Sequence, residues 1–250
     1  MQLVILNSPP DGKGFYARDN GGLSIKYSDM NTVREVVKSK EKIMSLDLNV
    51  SGTKLVGAGF NGNVYIWDIY NDFAETVINL SKTGIASVAF APEGRRIIAG
   101  DNNGQIKIID NGVVIRELPG HTGAIEHIKF NHNGTFMATS SKDFSIRLWN
   151  FNQLNFPPIV LSDHDWVWSV AFTPNDEQLF AGINSVKDQI ERGEAKTDFS
   201  IHAWPTKIET MAGILCGELS RNMTQEEWKI HVAEDIDYEA TCKNLPVNKQ

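Results

Sequence analysis

An all-β repeat architecture closed by a short helical tail is the fold that this 250-residue sequence predicts. Three observations predict it. β-like segments recur with a nearly constant period: the runs beginning at Ile43, Ile85, Ile125 and Val167 are 42, 40 and 42 residues apart. Each run is followed at a fixed distance by a turn pair and a strand of small residues, and then by a third strand, so each unit is a meander that needs neighbours to cover its faces. After Trp204 the apolar period changes from two to 3.6, the helical value.

Taken in order, residues 1–40 form an incomplete first unit, with Leu3 to Leu6, Phe15 to Ala17 and Leu23 to Tyr27 as strands and Asp11-Gly12 as a turn. Four fuller units follow over 41–82, 83–122, 123–164 and 165–204. Their first strands are Ile43 to Leu48, Ile85 to Phe90, Ile125 to Phe130 and Val167 to Phe172. The turn pairs Ser51-Gly52, Glu93-Gly94, Asn133-Gly134 and Asn175-Asp176 carry residues suited to hairpins. Leu55 to Gly59, Ile97 to Gly100, Phe136 to Ser140 and Leu179 to Gly182 are second strands. Third strands end in Trp67, Ile109, Trp149 and Trp204, and Val33 to Val37, Thr76 to Ile78, Val113 to Ile115 and Ile159 to Leu161 supply outer strands.

Beyond Trp204, Ile208, Met211, Ala212, Leu215 and Leu219 fall on one helical face, and Thr206 with Glu209 has capping-box spacing. Thr224 with Glu227 repeats that spacing, flanked by Met223 and Trp228 as a hydrophobic staple, which predicts a second helix from about Gln225 to Val232. The tail over 205–250 is expected to pack on the last unit.

A four-stranded repeat of this length carrying Trp67-Asp68 and Gly120-His121, with Trp149-Asn150 and Ile109-Asp110 as partial versions, resembles the WD40 family. The resemblance implies a WD40-type β-propeller of about four and a half to five blades over residues 1–204, with the helical tail after it. No outer strand precedes Leu3 to close a ring in the family's usual way, so the chain reads as the C-terminal part of a longer array. Trp204-Pro205-Thr206, Leu215-Cys216, Arg221 to Trp228 and Tyr238 to Cys242 are similar to the segment that ends bacterial multidomain WD40 proteins, in which the propeller follows a STAND-type NTPase or a caspase-like peptidase. That likeness implies an architecture rather than a reaction.

The resemblance also implies a buried hydrogen-bond relay at His121, Thr139, Asp143 and Trp149, with Ser141 as an alternative to Thr139. The same residue types compose a catalytic triad, so a His/Asp hydrolase is an alternative reading. The other units lack the full set: Trp67 has no upstream His, Ile109 stands where Trp would, and His164 with Trp204 has no evident Asp.

Composition narrows the function classes. Twenty-four Lys and Arg against 31 Asp and Glu, a net charge of −7 with no basic run, argue against a nucleic-acid partner. No apolar run reaches the roughly 18 residues of a membrane span, and Met1 to Leu6 lacks the basic start of a signal peptide. Two cysteines, Cys216 and Cys242, have no metal-ligand spacing and suggest a reducing, cytoplasmic setting. Cys216 is expected as a packed small hydrophobe; a thiol nucleophile served by His231, giving a Cys/His hydrolase, and disulfide pairing are the alternatives. Gly57 to Gly62 spells G-x-G-x-x-G but leads into a strand, not the helix that a dinucleotide site needs. No cofactor and no metal are expected.

What remains for function is the rim. Asp165 and Trp166 lie in the loop entering the last unit, Trp166 reading as a residue buried between blades or, as the alternative, an exposed partner anchor. Ile183 to Asp198 is an insertion carrying Lys187, Asp188, Glu191 and Arg192 where sibling units have a short turn, either a partner contact or a solvated loop. The expected function is a non-enzymatic module for protein–protein interaction or ligand sensing. Its partner would be another protein or an upstream domain of the same polypeptide. A free-standing scaffold that self-associates to complete open blades is a further alternative.

Overall fold

The computed structural model describes the backbone of residues 3–5, 14–19, 23–28, 33–39, 41–185, 198–231, 237–240 and 242–246, and side chains over 41–184, 199–230, 237–240 and 242–246. Five antiparallel meanders follow one another along the chain. The first contains β1 (Leu3–Ile5), β2 (Gly14–Asp19), β3 (Leu23–Ser28) and β4 (Val33–Ser39). The second contains β5 (Ile43–Leu48), β6 (Lys54–Gly59), β7 (Asn63–Asp68) and β8 (Ala74–Asn79), and the third β9 (Ile85–Phe90), β10 (Ile97–Asp101), β11 (Ile106–Asp110) and β12 (Val113–Leu118). The fourth contains β13 (Ile125–Phe130), β14 (Phe136–Ser141), β15 (Ser145–Asn150) and β16 (Ile159–Ser162). The last has three strands, β17 (Trp166–Phe172), β18 (Gln178–Ser185) and β19 (Asp198–Pro205).

Burial follows from stacking. Second strands have neighbours on both faces, so β10 is buried at every residue and β6 and β14 at all but the first, whereas the outer strands β8 and β12 are mostly exposed. Between the second and third sheets lie Val56, Ala58, Val64, Ile85, Val88 and Ile97; between the third and fourth, Ile98, Ile106, Ile108, Ile125, Ile128 and Met137; between the fourth and fifth, Ala138, Ile146, Leu148, Val167, Leu179 and Ala181. Each buried aliphatic side chain contributes about 1.5–3 kcal/mol through removal from water. Gly100 marks a close approach of the third and fourth sheets, since a Cβ there would lie 2.5 Å from Ile125 Cγ2. The turns after the first strands need positive φ, and Gly52, Gly94 and Gly134 supply it at +67°, +75° and +73°; Asp176 takes the same place at +56°.

The first strands are sheet edges, and their free N–H groups are capped from one repeat earlier. Val88 N donates to Ser45 Oγ (3.4 Å), Ile128 N to Ser87 Oγ (3.1 Å) and Val170 N to His127 Nδ1 (3.1 Å), while Phe90 N donates to Asp47 Oδ2 (2.7 Å). Without these acceptors, backbone donors would be orphaned between sheets. Ser169 is the next member of the series Ser45, Ser87, His127, and its side chain is exposed and makes no hydrogen bond among the described residues. On the same sheet Phe180 and Ile201 are 39% and 77% exposed, although their register equivalents Ala138 and Ile146 are fully buried; Phe199 is 69% exposed.

The tail departs from several expectations. Helix α1 (Ile208–Glu218) has no side-chain cap; Thr206, instead of capping with Glu209, is buried and donates its hydroxyl to Asp176 O. Its apolar face is largely uncovered: Ile208, Leu215 and Leu219 are exposed, and Met211 packs against the last sheet's core. Periodicity marked the face, but only a covering element buries it. Helix α2 (Gln225–His231) does carry the reciprocal capping box, with Glu227 N donating to Thr224 Oγ1 (3.2 Å) and Thr224 N to Glu227 Oε2 (2.8 Å). Met223 is exposed rather than core, and Trp228 meets Tyr238 edge to face at 5.6 Å. The expectation of a packed, free Cys216 is corrected: Cys216 and Cys242 form a disulfide closing a 26-residue separation. Asn222, buried, brings the second cysteine in by accepting from Cys242 N (2.8 Å) and donating to Cys242 O (2.8 Å) and Leu245 O (2.9 Å). Sequence spacing carried no trace of that clamp.

Candidate functional site

The turn between β14 and β15 and the segment entering β13 share one rim, tied by Lys142 N donating to Ala124 O (3.0 Å) and Ser141 Oγ to Gly123 O (3.0 Å). Just inside it, His121 Nδ1 lies 2.9 Å from Asp143 Oδ2 and His121 Nε2 lies 2.9 Å from Thr139 Oγ1, while Trp149 Nε1 donates to Thr139 Oγ1 at 3.0 Å. Because Thr139 already accepts from Trp149, its hydroxyl proton is free to serve His121 Nε2, and Nδ1–H then donates to Asp143. Ser145, absent from the expected set, donates its hydroxyl to Asp143 Oδ1 (2.6 Å), and its N–H (3.1 Å) and Thr122 N (2.9 Å) also reach the carboxylate. Burial opposes charge on Asp143, but the hydrogen bonds from His121, Ser145 and Thr122 outweigh it and hold the carboxyl well below the ordinary range. Thr139 is fully buried and His121 nearly so, with Ser141 directed to Gly123 instead of the imidazole.

The cysteine version of an active site has its thiols joined to each other. In the last sheet, His164 is exposed, and Asp163 instead pairs with His202 of β19 at 2.6 Å (Oδ2 to Nδ1), a contact that sequence order concealed. The buried Trp204 Nε1 has no hydrogen-bond partner. The glycine-rich run is a hairpin, Gly62 N donating to Gly59 O (3.0 Å) between β6 and β7. Among the described residues, no cluster of His, Cys, Asp and Glu has the geometry to hold a metal ion.

At the rim, Asp165 and Trp166 are half-buried and Trp168 is 43% exposed. The insertion begins later than its sequence suggested: Ile183 to Ser185 and Asp198 to Ser200 continue the β18–β19 ladder. Lys187, Asp188, Glu191 and Arg192 lie outside the described residues.

Along the inner strands β5, β9 and β13 runs an open groove of about 350 Å³, lined by residues including Met44, Asp47, Ala86, Glu126, His127 and Lys129. Burial, with Lys129 adding to it, pushes His127 down to about 4, so the imidazole is neutral and free to accept from Val170 N. Burial also raises Asp47 above the usual carboxylate value.

Stacked antiparallel meanders whose inner strands line a groove define a propeller-type repeat protein. The WD domain, G-beta repeat, matches residues 31–68, 76–110, 112–150 and 156–189, more than half of the chain. The chain belongs to the WD40 family. It is similar to the guanine nucleotide-binding protein subunit beta of Schizosaccharomyces pombe, 26% identical over 58% of this chain and 48% of that protein. It is also similar to Protein groucho of Drosophila melanogaster, 21% identical over 70% of this chain and 24% of that protein. Protein LST8 homolog of Drosophila melanogaster is 25% identical over 44% of this chain and 38% of its own length. The chain thus matches less than half the length of these relatives. Repeats of this family mediate protein–protein interaction and scaffolding.

Proposed function

We propose that the chain is a non-enzymatic interaction or sensing module, the C-terminal propeller region of a larger bacterial signalling protein, acting in the cytoplasm. The observation that carries the interaction reading is the rim at the start of β17, where two tryptophans stand partly in solvent beside a relay that is itself buried. The relay is assigned to holding β13, β14 and β15 together. The tail's likeness to bacterial multidomain proteins supports the signalling setting, with an upstream domain of the same polypeptide or a separate protein as partner. Capture of a partner from the source organism by wild type, by Trp166→Ala and by a chain lacking 186–197 tests the rim; that deletion spares the ladder pairs up to Ser185 and Asp198. Loss of capture in either variant is expected, and unchanged capture in both would overturn the rim assignment. The cytoplasmic setting is tested by fractionating source cells: the chain is expected with the cytosolic proteins, and recovery from an oxidising compartment, where a disulfide such as Cys216–Cys242 persists, would overturn it.

The exposed face of the last sheet favours a second reading, self-association in which another copy completes it. Phe180 and Ile201 are exposed where the fourth sheet buries their equivalents Ala138 and Ile146, and Phe199 beside them is exposed too. A molar mass that rises with concentration, and falls to the monomer with Ile201→Glu, is the expected result; a constant monomer mass rules this reading out.

A further inference from the structure

Four inner strands, β5, β9, β13 and β17, each carry one residue too many for the ladder. Register skips Met44 in β5, Ala86 in β9, Glu126 in β13 and Trp168 in β17. A bulge frees its extra residue from the pleat and re-aims the side chain. These four positions are therefore equivalent in place but released from packing, and the chain fills them with a thioether, a methyl, a carboxylate and an indole. Met44, Ala86 and Glu126 line the groove.

Between the fourth and fifth sheets two of them converge on one cation. Lys142 Nζ lies 3.2 Å from Glu126 Oε1, 5.2 Å from the Trp166 ring centroid and 5.6 Å from that of Trp168. The two indoles are 6.3 Å apart and inclined at 49°. Two electron-rich faces and a carboxylate around an ammonium group form an aromatic cage, the arrangement that recognises quaternary ammonium and methylated lysine. Lys142 is its occupant rather than a wall. Its side chain is 38% exposed, against 14% for Glu126, and it rides on a turn with a long flexible stem. An ion pair open to solvent on the lysine side and cation–π contacts at the rim hold it by modest energies. A methylated ammonium sheds water more readily than Lys142 does and presents more apolar surface to the indoles, so it competes well for the same space.

We infer that Trp166, Trp168 and Glu126 form a receptor for a methylated lysine side chain of a protein partner, with Lys142 as the resident that the partner's cation displaces. The inference rests on the rim reading above and gives that rim its ligand chemistry. The test is a titration of the whole chain, its tryptophans labelled with nitrogen-15, with tetramethylammonium chloride against sodium chloride, following the indole N–H resonances. Trp166 and Trp168 should shift saturably, about tenfold more tightly in Lys142→Ala than in wild type. Unmoved Trp67 and Trp149 resonances report that the fold is intact, since both are buried. Trp168→Ala in the Lys142→Ala background should abolish saturation at Trp166. A peptide bearing trimethyl-lysine should bind where its acetyl-lysine twin does not. Absence of a saturable shift in Lys142→Ala, or equal shifts at exposed indoles throughout, would falsify the cage. Because this titration needs no partner, silent indoles together with capture lost in Trp166→Ala reject the cage and leave the rim reading standing. Cage binding with capture unaffected both by Trp166→Ala and by removal of 186–197 supports the cage and rejects the rim as the partner site.

Discussion

Asp143→Asn separates a structural relay from a catalytic one. The carboxylate receives four donors: His121 Nδ1–H and Thr122 N–H at Oδ2, Ser145 O–H and Ser145 N–H at Oδ1. An asparagine keeps one oxygen for two of them and presents an NH₂ group to the others. The better orientation sets the amide nitrogen toward Ser145, whose hydroxyl can turn and accept, leaving Ser145 N–H as the one orphan. One unsatisfied buried donor and the lost charge assistance cost about 1–3 kcal/mol. Urea denaturation at pH 7 should show that loss as a lower midpoint with an unchanged slope. The acid side gives an independent check. A carboxyl depressed in the folded state contributes stability that is fully present above its unfolded value of about 3.9 and is lost as pH falls through the lower folded value. The gap between wild type and Asp143→Asn should therefore be constant above about pH 5 and close progressively below about pH 4. A variant as stable as wild type at pH 7 would refute the relay's structural role.

Two further outcomes follow from the inner strands and the tail. His127 is held near 4 against an ordinary 6.5, so the unfolded chain takes up its proton first and this contribution to stability, complete above pH 6.5, is lost as pH falls toward 4. His127→Ser, which restores the acceptor found at Ser45 and Ser87, should keep the Val170 cap and remove that dependence; melting curves across pH 4–7 that stay parallel would contradict the assignment. Reducing the disulfide releases a constraint worth about 3 kcal/mol for a loop of this length. Hydrogen exchange should then quicken around Asn222 and Cys242 while β13 to β15 are unchanged, and exchange that quickens equally in the sheets would show the tail to be part of one cooperative unit.

Five meanders and their order were readable from sequence because period-two strands and turn residues recur at one spacing, whereas the His121, Thr139, Asp143 and Trp149 constellation came from the resemblance to the WD40 family, which assigns each residue its place in a unit. Ser145 escaped because a serine at a strand start has no pattern of its own. The outcome for Cys216 shows a different limit. Its pairing depends on Asn222 drawing residues 242–246 inward through three side-chain hydrogen bonds, a long-range clamp with no local signature. The helical face of α1 was correctly periodic, yet exposure at Ile208, Leu215 and Leu219 is decided by what lies opposite, which periodicity does not encode.

The rim cage was hidden for a geometric reason. Alternation along Trp166-Val167-Trp168-Ser169 reads as an ordinary strand, with Trp168 as one more cross-strand partner. The register skips from Val167 to Ser169, and that single extra residue lifts Trp168 out of the ladder and toward Lys142. The same slip occurs in β5, β9 and β13, so the bulge belongs to the repeat while the residue on it does not. Ser45, Ser87 and His127 keep one chemical task, accepting the next strand's N–H, which would otherwise be a backbone donor without a partner between sheets. Met44, Ala86, Glu126 and Trp168 share a geometry and no such task. In a protein built by repetition, positions of the first kind hold blades together, and positions of the second kind are where the surface is free to acquire a ligand.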